Sequence, residues 1–380
     1  MRRARHYPHP LVQNANGADE QRCNKSALLV YLPRAFHLAA DDPAFLRHAN
    51  LRRCRHMAAC LGEFGYVVDV VSKADTTFRP RRDYHLIISE RLDWQGIERR
   101  FRADAIHLFL ATSLNHVTHN ANVRRRHARL LERRCAPVQV RRVYGETMPA
   151  VAASDAILAV GNAFTAGTWK GTLDGPVYMF NSFALRAGVL ASDITKDFAR
   201  GRTHFLFFAS RSQVQKGLDL LLEIFPRHPH LHLYVCSEFA AEADFCAAYR
   251  RELFEAPNVH PLGWTSVNSP EFSELLRTCA CVIHPTCSEG QAGSVVHCMH
   301  SGLIPLVTRE AGIDTDDFGV TFADDSIEEI EKTVLDVSQR PPEWHRERGA
   351  KTARIAAELY GEEAFTRRWR SIITEIAGKA

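Results

Sequence analysis

The chain has 380 residues, 46% hydrophobic and 24% charged, with a formal net charge of +4. The apolar fraction is too high for wholesale disorder, and the length predicts two domains rather than one core. No apolar run approaches the ~20 residues that cross a bilayer, and no hydrophobic stretch follows the N-terminal arginines, so neither a membrane span nor a signal peptide is expected.

In chain order, residues 1–24 read as a disordered basic extension. Strand-like runs follow at 26–33, 66–72, 84–90, 105–112 and 155–161, separated by helix-length segments. One of these, 45–64, stops at Gly65, a natural helix end. The helix after Asn120 is expected to set Arg126, Arg129 and Arg133 on one stripe and Ala121, Ala128, Leu131 and Cys135 on the opposite face. The stripe reads either as a solvated face or as an acceptor-side patch for anionic lipid head groups or an anionic carrier. Nucleic acid is disfavoured, because few aromatics interleave the arginines.

The second half repeats the alternation, with strands at 204–210, 230–237, 259–263, 281–286 and 304–308. Ser269 and Pro270 form a helix start, and Ser326 with Glu329 forms a capping box. Helices near 341–360 and 362–378 close the chain. Short β-branched strands between helices predict parallel sheets covered on both faces, hence two Rossmann-like, doubly wound α/β domains. The expected division is a first domain at 25–182, a second at 183–362 and a final helix at 363–380.

Charge divides along the same line. Residues 1–182 hold 27 Lys and Arg against 16 Asp and Glu, a balance of +11, whereas 183–380 hold 21 against 28, or −7. A basic first half predicts an anionic partner or surface. Ten cysteines lie in the chain without one CxxC pair, so a zinc site has no spacing support and reduced, cytoplasmic thiols are expected.

The fingerprints GxGxxG, GxxxxGK[ST] and HExxH are missing. What remains lies in the second half. Arg211 and Lys216 stand five apart on a strand-to-helix loop, a spacing that lets two cations converge on one anion. Further on, Ser288-Glu289-Gly290-Gln291-Ala292-Gly293-Ser294 runs from a strand end to a helix start. Its glycines would bare backbone amides to a ligand, and a carboxylate there suits sugar hydroxyls better than phosphate.

The ordered set of Arg211-x4-Lys216-Gly217, then Asn258-Val259 with Gly263, then Ser288-Glu289-Gly290, then Gly302-x-x-Pro305, is similar to the donor domain of retaining GT-B glycosyltransferases, above all glycosyltransferase family 4. The resemblance is strong over 203–310 and weaker, but continuous, in the first half through Thr112, His116, Asn120 and 155–162. It implies a GT-B fold whose last helix crosses back onto the first domain. It implies that Arg211 and Lys216 neutralise a nucleotide diphosphate, that Glu289 holds the donor sugar, and that the backbone from Gly290 to Ser294, with Ser288 and His297 nearby, completes the donor site. His116 would sit near the reacting sugar. The acceptor would be a surface glycan or glycolipid, with no metal or further cofactor and peripheral membrane contact through the first domain.

One position departs from the family. His297 stands where a second Glu is usual, eight residues after the first. A nucleotide-sugar epimerase and a non-catalytic sugar-nucleotide-binding scaffold therefore stay open as readings of the same fold.

Overall fold

The computed structural model describes residues 11–46, 48–75, 78–90, 102, 104–145, 151–184 and 195–377. It contains two six-stranded sheets, each entirely parallel.

The first sheet comprises β1 (Lys25–Tyr31), β2 (Tyr66–Ser72), β3 (Leu86–Ser89), β4 (Ile106–Ala111), β5 (Ala156–Val160) and β6 (Val177–Phe180), in the order β2-β1-β3-β4-β5-β6. The second comprises β7 (His204–Phe208), β8 (His232–Cys236), β9 (Val259–Pro261), β10 (Cys281–His284), β11 (Ile304–Val307) and β12 (Val320–Thr321). Its order, β9-β8-β7-β10-β11-β12, is the 3-2-1-4-5-6 arrangement of dinucleotide-binding folds. Strands such as β2 and β10 are buried along their whole length, which is why they read as largely apolar runs; the one buried charge in β2, Asp69, is met by Tyr84 and Arg82. The sequence reading lacks β6 and β12, which are four and two residues long.

Nine helices organise the site and the packing: α1 (Ala49–Glu63), α2 (His116–Arg134), α3 (Ala163–Trp169), α4 (Leu218–Ile224), α5 (Pro270–Thr278), α6 (Gly293–His300), α7 (Ile327–Gln339), α8 (Pro342–Leu359) and α9 (Glu362–Ala377). Ser269 caps α5 by accepting from the Phe272 amide. The expected capping box at α7 is half formed. Ser326 accepts from the Glu329 amide, whereas Glu329 reaches back to the Ala323 amide rather than to Ser326. Phe365, Trp369, Ile372, Ile373 and Ile376 of α9 belong to the core of the first sheet, against Phe180 and Phe183.

The expectation of a disordered extension fails where it can be seen. Residues 1–10 lie outside the described residues, but Val12 pairs with Val70 in both directions, and the Asn16 side chain bonds Tyr66 and Val68. β2 is an edge strand, and this segment satisfies backbone groups that would otherwise stand open. The link expected around 181–202 lies partly outside the described residues. Among the described residues no helix is long and apolar enough to cross a membrane.

Candidate active site

A cavity of about 540 Å³ lies between the two sheets at the C-terminal ends of their strands, where open α/β folds hold ligands. The second-domain wall begins at the end of β7, with Phe208, Ala209 and Ser210. The chain then turns sharply through Ser212 and Gly217, both left-handed, around a single helical turn, Gln213–Lys216. A Cβ on Gly217 would meet the Pro285 carbonyl at 2.4 Å, so this turn needs glycine for space as well as for its φ of +85°.

That turn is laced to the loop after β10. Gln215 donates to the Ser288 carbonyl at 2.6 Å and accepts from the Cys287 amide at 2.9 Å. The lacing brings Lys216, which is buried, into an ion pair with Glu289. Burial and the nearby Arg142 guanidinium push the Lys216 ammonium well below its ordinary range. The Glu289 contact opposes that push.

His284, the last residue of β10, completes this wall. It is buried, with Nε2 3.8 Å from Glu289 Oε1, and burial and Lys216 hold it well below the usual histidine range. Neither ring nitrogen has a hydrogen-bond partner among the described residues. The sequence reading missed it, because a histidine inside an apolar strand looks like core. Gly293, Ser294 and His297 of α6 also face the cavity. No side chain caps α6 at Ala292, so the Gly293 and Ser294 amides at its start are left without a side-chain cap, while the Val295 amide turns back to the Ala292 carbonyl. Trp264, 63% exposed, stands at the cavity edge with Thr265, Ser266 and Val267, another group absent from the sequence reading.

The loop of Glu289 is gripped from the first domain. Leu114 donates to the Glu289 carbonyl at 3.1 Å, Thr165 to the Gly290 carbonyl at 2.9 Å and Asn122 to the Cys287 carbonyl at 3.0 Å. Ser288 Oγ meets His119 Nδ1 at 2.8 Å. His119 Nε2 faces the Arg142 carbonyl and must carry the proton, so Nδ1 accepts from Ser288. Burial pushes His119 down to about 4, consistent with this neutral form. A Cβ on Gly290 would lie 2.5 Å from the Thr112 carbonyl, so glycine is what lets the domains approach here.

The structure therefore sorts the expected residues. Lys216, Glu289, Gln291, Gly293, Ser294 and His297 line one cavity. Ser288, Gly290 and Ala292 do not: the first two are held in the interdomain grip, and the Ala292 amide is bonded to the Ala311 carbonyl. Arg211 lies outside the cavity, 67% exposed and paired with Glu238 at 2.8 Å. His116 is not in a loop but is the first residue of α2, stacked on Tyr144 at 3.7 Å and edged by Phe109 and Trp169. Burial and His119 lower it to about 4, and it is not among the residues that line the cavity.

The arginine stripe is also corrected. Arg126 bonds Asp325 and the Pro285 carbonyl, Arg129 bonds Asp325, and Arg133 bonds Asp219 and Glu223. The stripe faces the acidic second domain, whereas Ala121, Ala128, Leu131 and Cys135 face outward. Helical periodicity gave the two faces correctly and their orientation backwards, because the carboxylates that attract the arginines come from a distant part of the chain.

The first-domain wall is built from the start of α1, with His48, Asn50 and Arg53, and from Lys73, Glu90 and Thr112 after β2, β3 and β4. Lys73 pairs with Glu90 at 2.5 Å, and Thr112 donates to the same carboxylate at 2.6 Å. Among the described residues no three His, Cys, Asp or Glu side chains gather as metal ligands.

Residues 202–340 match the family model described as glycosyl transferases group 1. The chain superposes on sucrose-phosphate synthase of Thermosynechococcus elongatus with a TM-score of 0.61 at 11% identity, covering 94% of this chain and 100% of that one. The fold is GT-B. HepE of Anabaena, solved with UDP and glucose, gives 0.57 at 10% identity, covering 94% and 100%. A variant of S. aureus TarM gives 0.52 at 12% identity and covers 75% of this chain, which spans about half the length of TarM, 54%. No curated protein sequence matches the chain. The domain match and the fold together support a GT-B glycosyltransferase.

Proposed function

We propose that the protein transfers a sugar from a nucleotide-diphosphate donor to a hydroxyl acceptor, with retention at the anomeric carbon and without a metal. The observation that carries this reading is the Lys216–Glu289 pair on the second-domain wall, set beside the uncapped start of α6.

In the reaction the bond from the anomeric carbon to the donor phosphate breaks and a bond to the acceptor oxygen forms. The acceptor proton leaves with the phosphate. Negative charge grows on the leaving diphosphate, and Lys216 with the amides of Gly293 and Ser294 stands where that charge can be met by groups already in place. Glu289, held between Lys216 and His284, would accept hydrogen bonds from hydroxyls of the donor sugar. His297 would offer a ring nitrogen to the ribose from the next turn of α6. The interdomain grip on residues 287–290 would hold the Glu289 loop in place against the donor.

A thermal-shift panel of UDP, GDP, ADP and CDP, with and without magnesium, tests the donor site. UDP comes first because it is present in the HepE and TarM structures. The expected result is a selective shift without metal, lost in Lys216→Ala. No shift with any nucleotide overturns the reading.

A further inference from the structure

The first-domain wall carries a cation that nothing in the donor chemistry uses. Arg53, one turn into α1, lines the cavity and is 5% exposed. Its Nη2 donates to Asn50 Oδ1 at 2.7 Å and to Ser182 Oγ at 2.9 Å, which fixes the guanidinium. Its Nε and Nη1 are buried without a hydrogen-bond partner among the described residues, and no carboxylate there pairs with it. A buried guanidinium so placed has lost its water without gaining an anion.

Its surroundings add to the same potential. His48, at the N-cap of α1, makes no side-chain cap, so Ala49 and Asn50 present first-turn amides at the cavity wall. Lys73 stands on the same wall, although Glu90 already balances it. The buried Tyr31 hydroxyl is likewise without a partner among the described residues and feels both Arg53 and Glu90. Among the described residues that line the cavity, Arg53, Lys73, Arg142 and Lys216 face Glu90 and Glu289 as the carboxylates. The Lys216 end is taken by the donor diphosphate in the function proposed above, on which this inference rests. Arg53 is left over.

We infer that Arg53 and the N-terminus of α1 form a subsite for an anionic group on the acceptor, a carboxylate or a phosphate. Ser182 ties the subsite to the reaction: its Oγ accepts from Arg53, and its amide donates to Gln291 Oε1 at 2.8 Å, two residues beyond Glu289. An acceptor held by its acid at Arg53 therefore lies next to the loop that holds the donor sugar. The substrate class is a hydroxyl compound that already bears a negative charge, such as an acidic sugar or a phosphate-bearing polyol, rather than a neutral glycan.

The test uses the full chain and two matched pairs, p-nitrophenyl glucuronide against p-nitrophenyl glucoside and glycerol 3-phosphate against glycerol. Binding is followed by calorimetry with UDP present at saturation, and the two pairs separate carboxylate from phosphate recognition. At least one acid should bind roughly tenfold or more tightly than its neutral partner. Arg53→Met should erase that preference, and Arg53→Lys should keep part of it. If Arg53→Met does not fold, Arg53→Lys carries the test through a reduced but persistent preference. Equal binding of acid and neutral compounds, or a full preference surviving in folded Arg53→Met, overturns the inference. So does loss of the preference in Lys216→Ala alone, which would place the acid in the diphosphate site. UDP binding is read separately in every variant. If UDP binds and the acid preference fails, only the Arg53 subsite falls; if no nucleotide binds, the donor reading falls first.

Discussion

Helices α1 and α2 each bury an arginine, and the two differ in what surrounds the guanidinium. Arg126 on α2 is 1% exposed and lies between Asp325 and Asp219, both from the second domain. Arg53 on α1, 5% exposed, meets among the described residues only the neutral side chains of Asn50 and Ser182. The first is a compensated charge that fastens two domains. The second keeps an unspent potential facing a cavity. Residue type, helical setting and near-complete burial are shared by the two, so the difference between structural and ligand-seeking arginines lies in the partners that the fold brings up.

The contrast breaks most clearly on stability. Arg126→Met strands two carboxylates at the interface, and loss of one partner from a buried pair costs about 3–5 kcal/mol. The expected outcome is a large drop in denaturant midpoint. Arg53→Met removes an uncompensated charge and should change the midpoint little, or raise it. Equal losses in the two variants would show that Arg53 is also a structural ion. Asp219 sharpens the point. Burial raises its carboxyl to about 6 against the pull of Arg126 and Arg133, so this cluster is held together at a cost that Arg126 must offset.

The donor wall gives the next largest effect. Glu289→Gln removes the charge that opposes the burial of Lys216 and turns one of the two acceptor oxygens offered to the sugar into a donor. Turnover should fall by about 10²–10³, as for removal of one oriented polar group from an active site. Binding of the bare nucleotide should weaken far less. Lys216→Ala should do the reverse, weakening nucleotide binding first. An active Glu289→Gln enzyme with a full kcat would take Glu289 out of the sugar contact.

These residues mark how far the sequence could be read. Ten of the twelve strands were legible as short apolar runs, because a strand buried on both faces is mostly apolar. Of the exceptions, β12 has only two residues, and β6 is an edge strand with two of its four residues buried, so its run carries a weaker signal. Lys216 and Glu289 were each legible through local motifs at strand ends, but their pairing was not, because the sequence sets Lys216 with Arg211. Arg53, His284 and Trp264 were not, since each acquires its role from neighbours on other elements. His116 failed for a related reason: the helix starts at Asn115, earlier than the residues suggested, and turns the ring into an aromatic cluster with Tyr144 and Trp169.

The domain grip should respond to pH with a definite sign. His119 is lowered to about 4 by burial, below the 6.5 of the unfolded chain. The unfolded state therefore takes up its proton first on acidification, and the native contribution is present above pH 6.5 and lost as pH falls toward 4. The loss amounts to about 3 kcal/mol at most. Asp244 acts lower on the scale. Burial acts upward on it, yet Arg141 and the amides of Gln139 and Phe245 hold it down to about 2, so its tie to 139–141 weakens only below the ordinary carboxylate range. His119→Gln should reduce the slope of the stability profile between pH 6.5 and 4 by its own share, leaving those of His116, His284 and the other buried histidines. An unchanged slope would mean that His119 is not held neutral at the interface.

Arg211 provides the smallest expected effect and the finest division between cations. The family resemblance pairs it with Lys216 on the diphosphate, whereas the structure turns it outward to Glu238, where both side chains are partly solvated. An exposed pair of this kind contributes about 0–1 kcal/mol. Arg211→Ala should therefore leave the fold intact and shift nucleotide binding by a few-fold at most, against a much larger loss in Lys216→Ala. If instead Arg211→Ala weakens nucleotide binding as strongly as Lys216→Ala, Arg211 must leave Glu238 when the donor arrives. Glu238→Ala would then tighten nucleotide binding by removing the competing carboxylate. The pair of variants decides whether the donor wall holds one diphosphate cation or two.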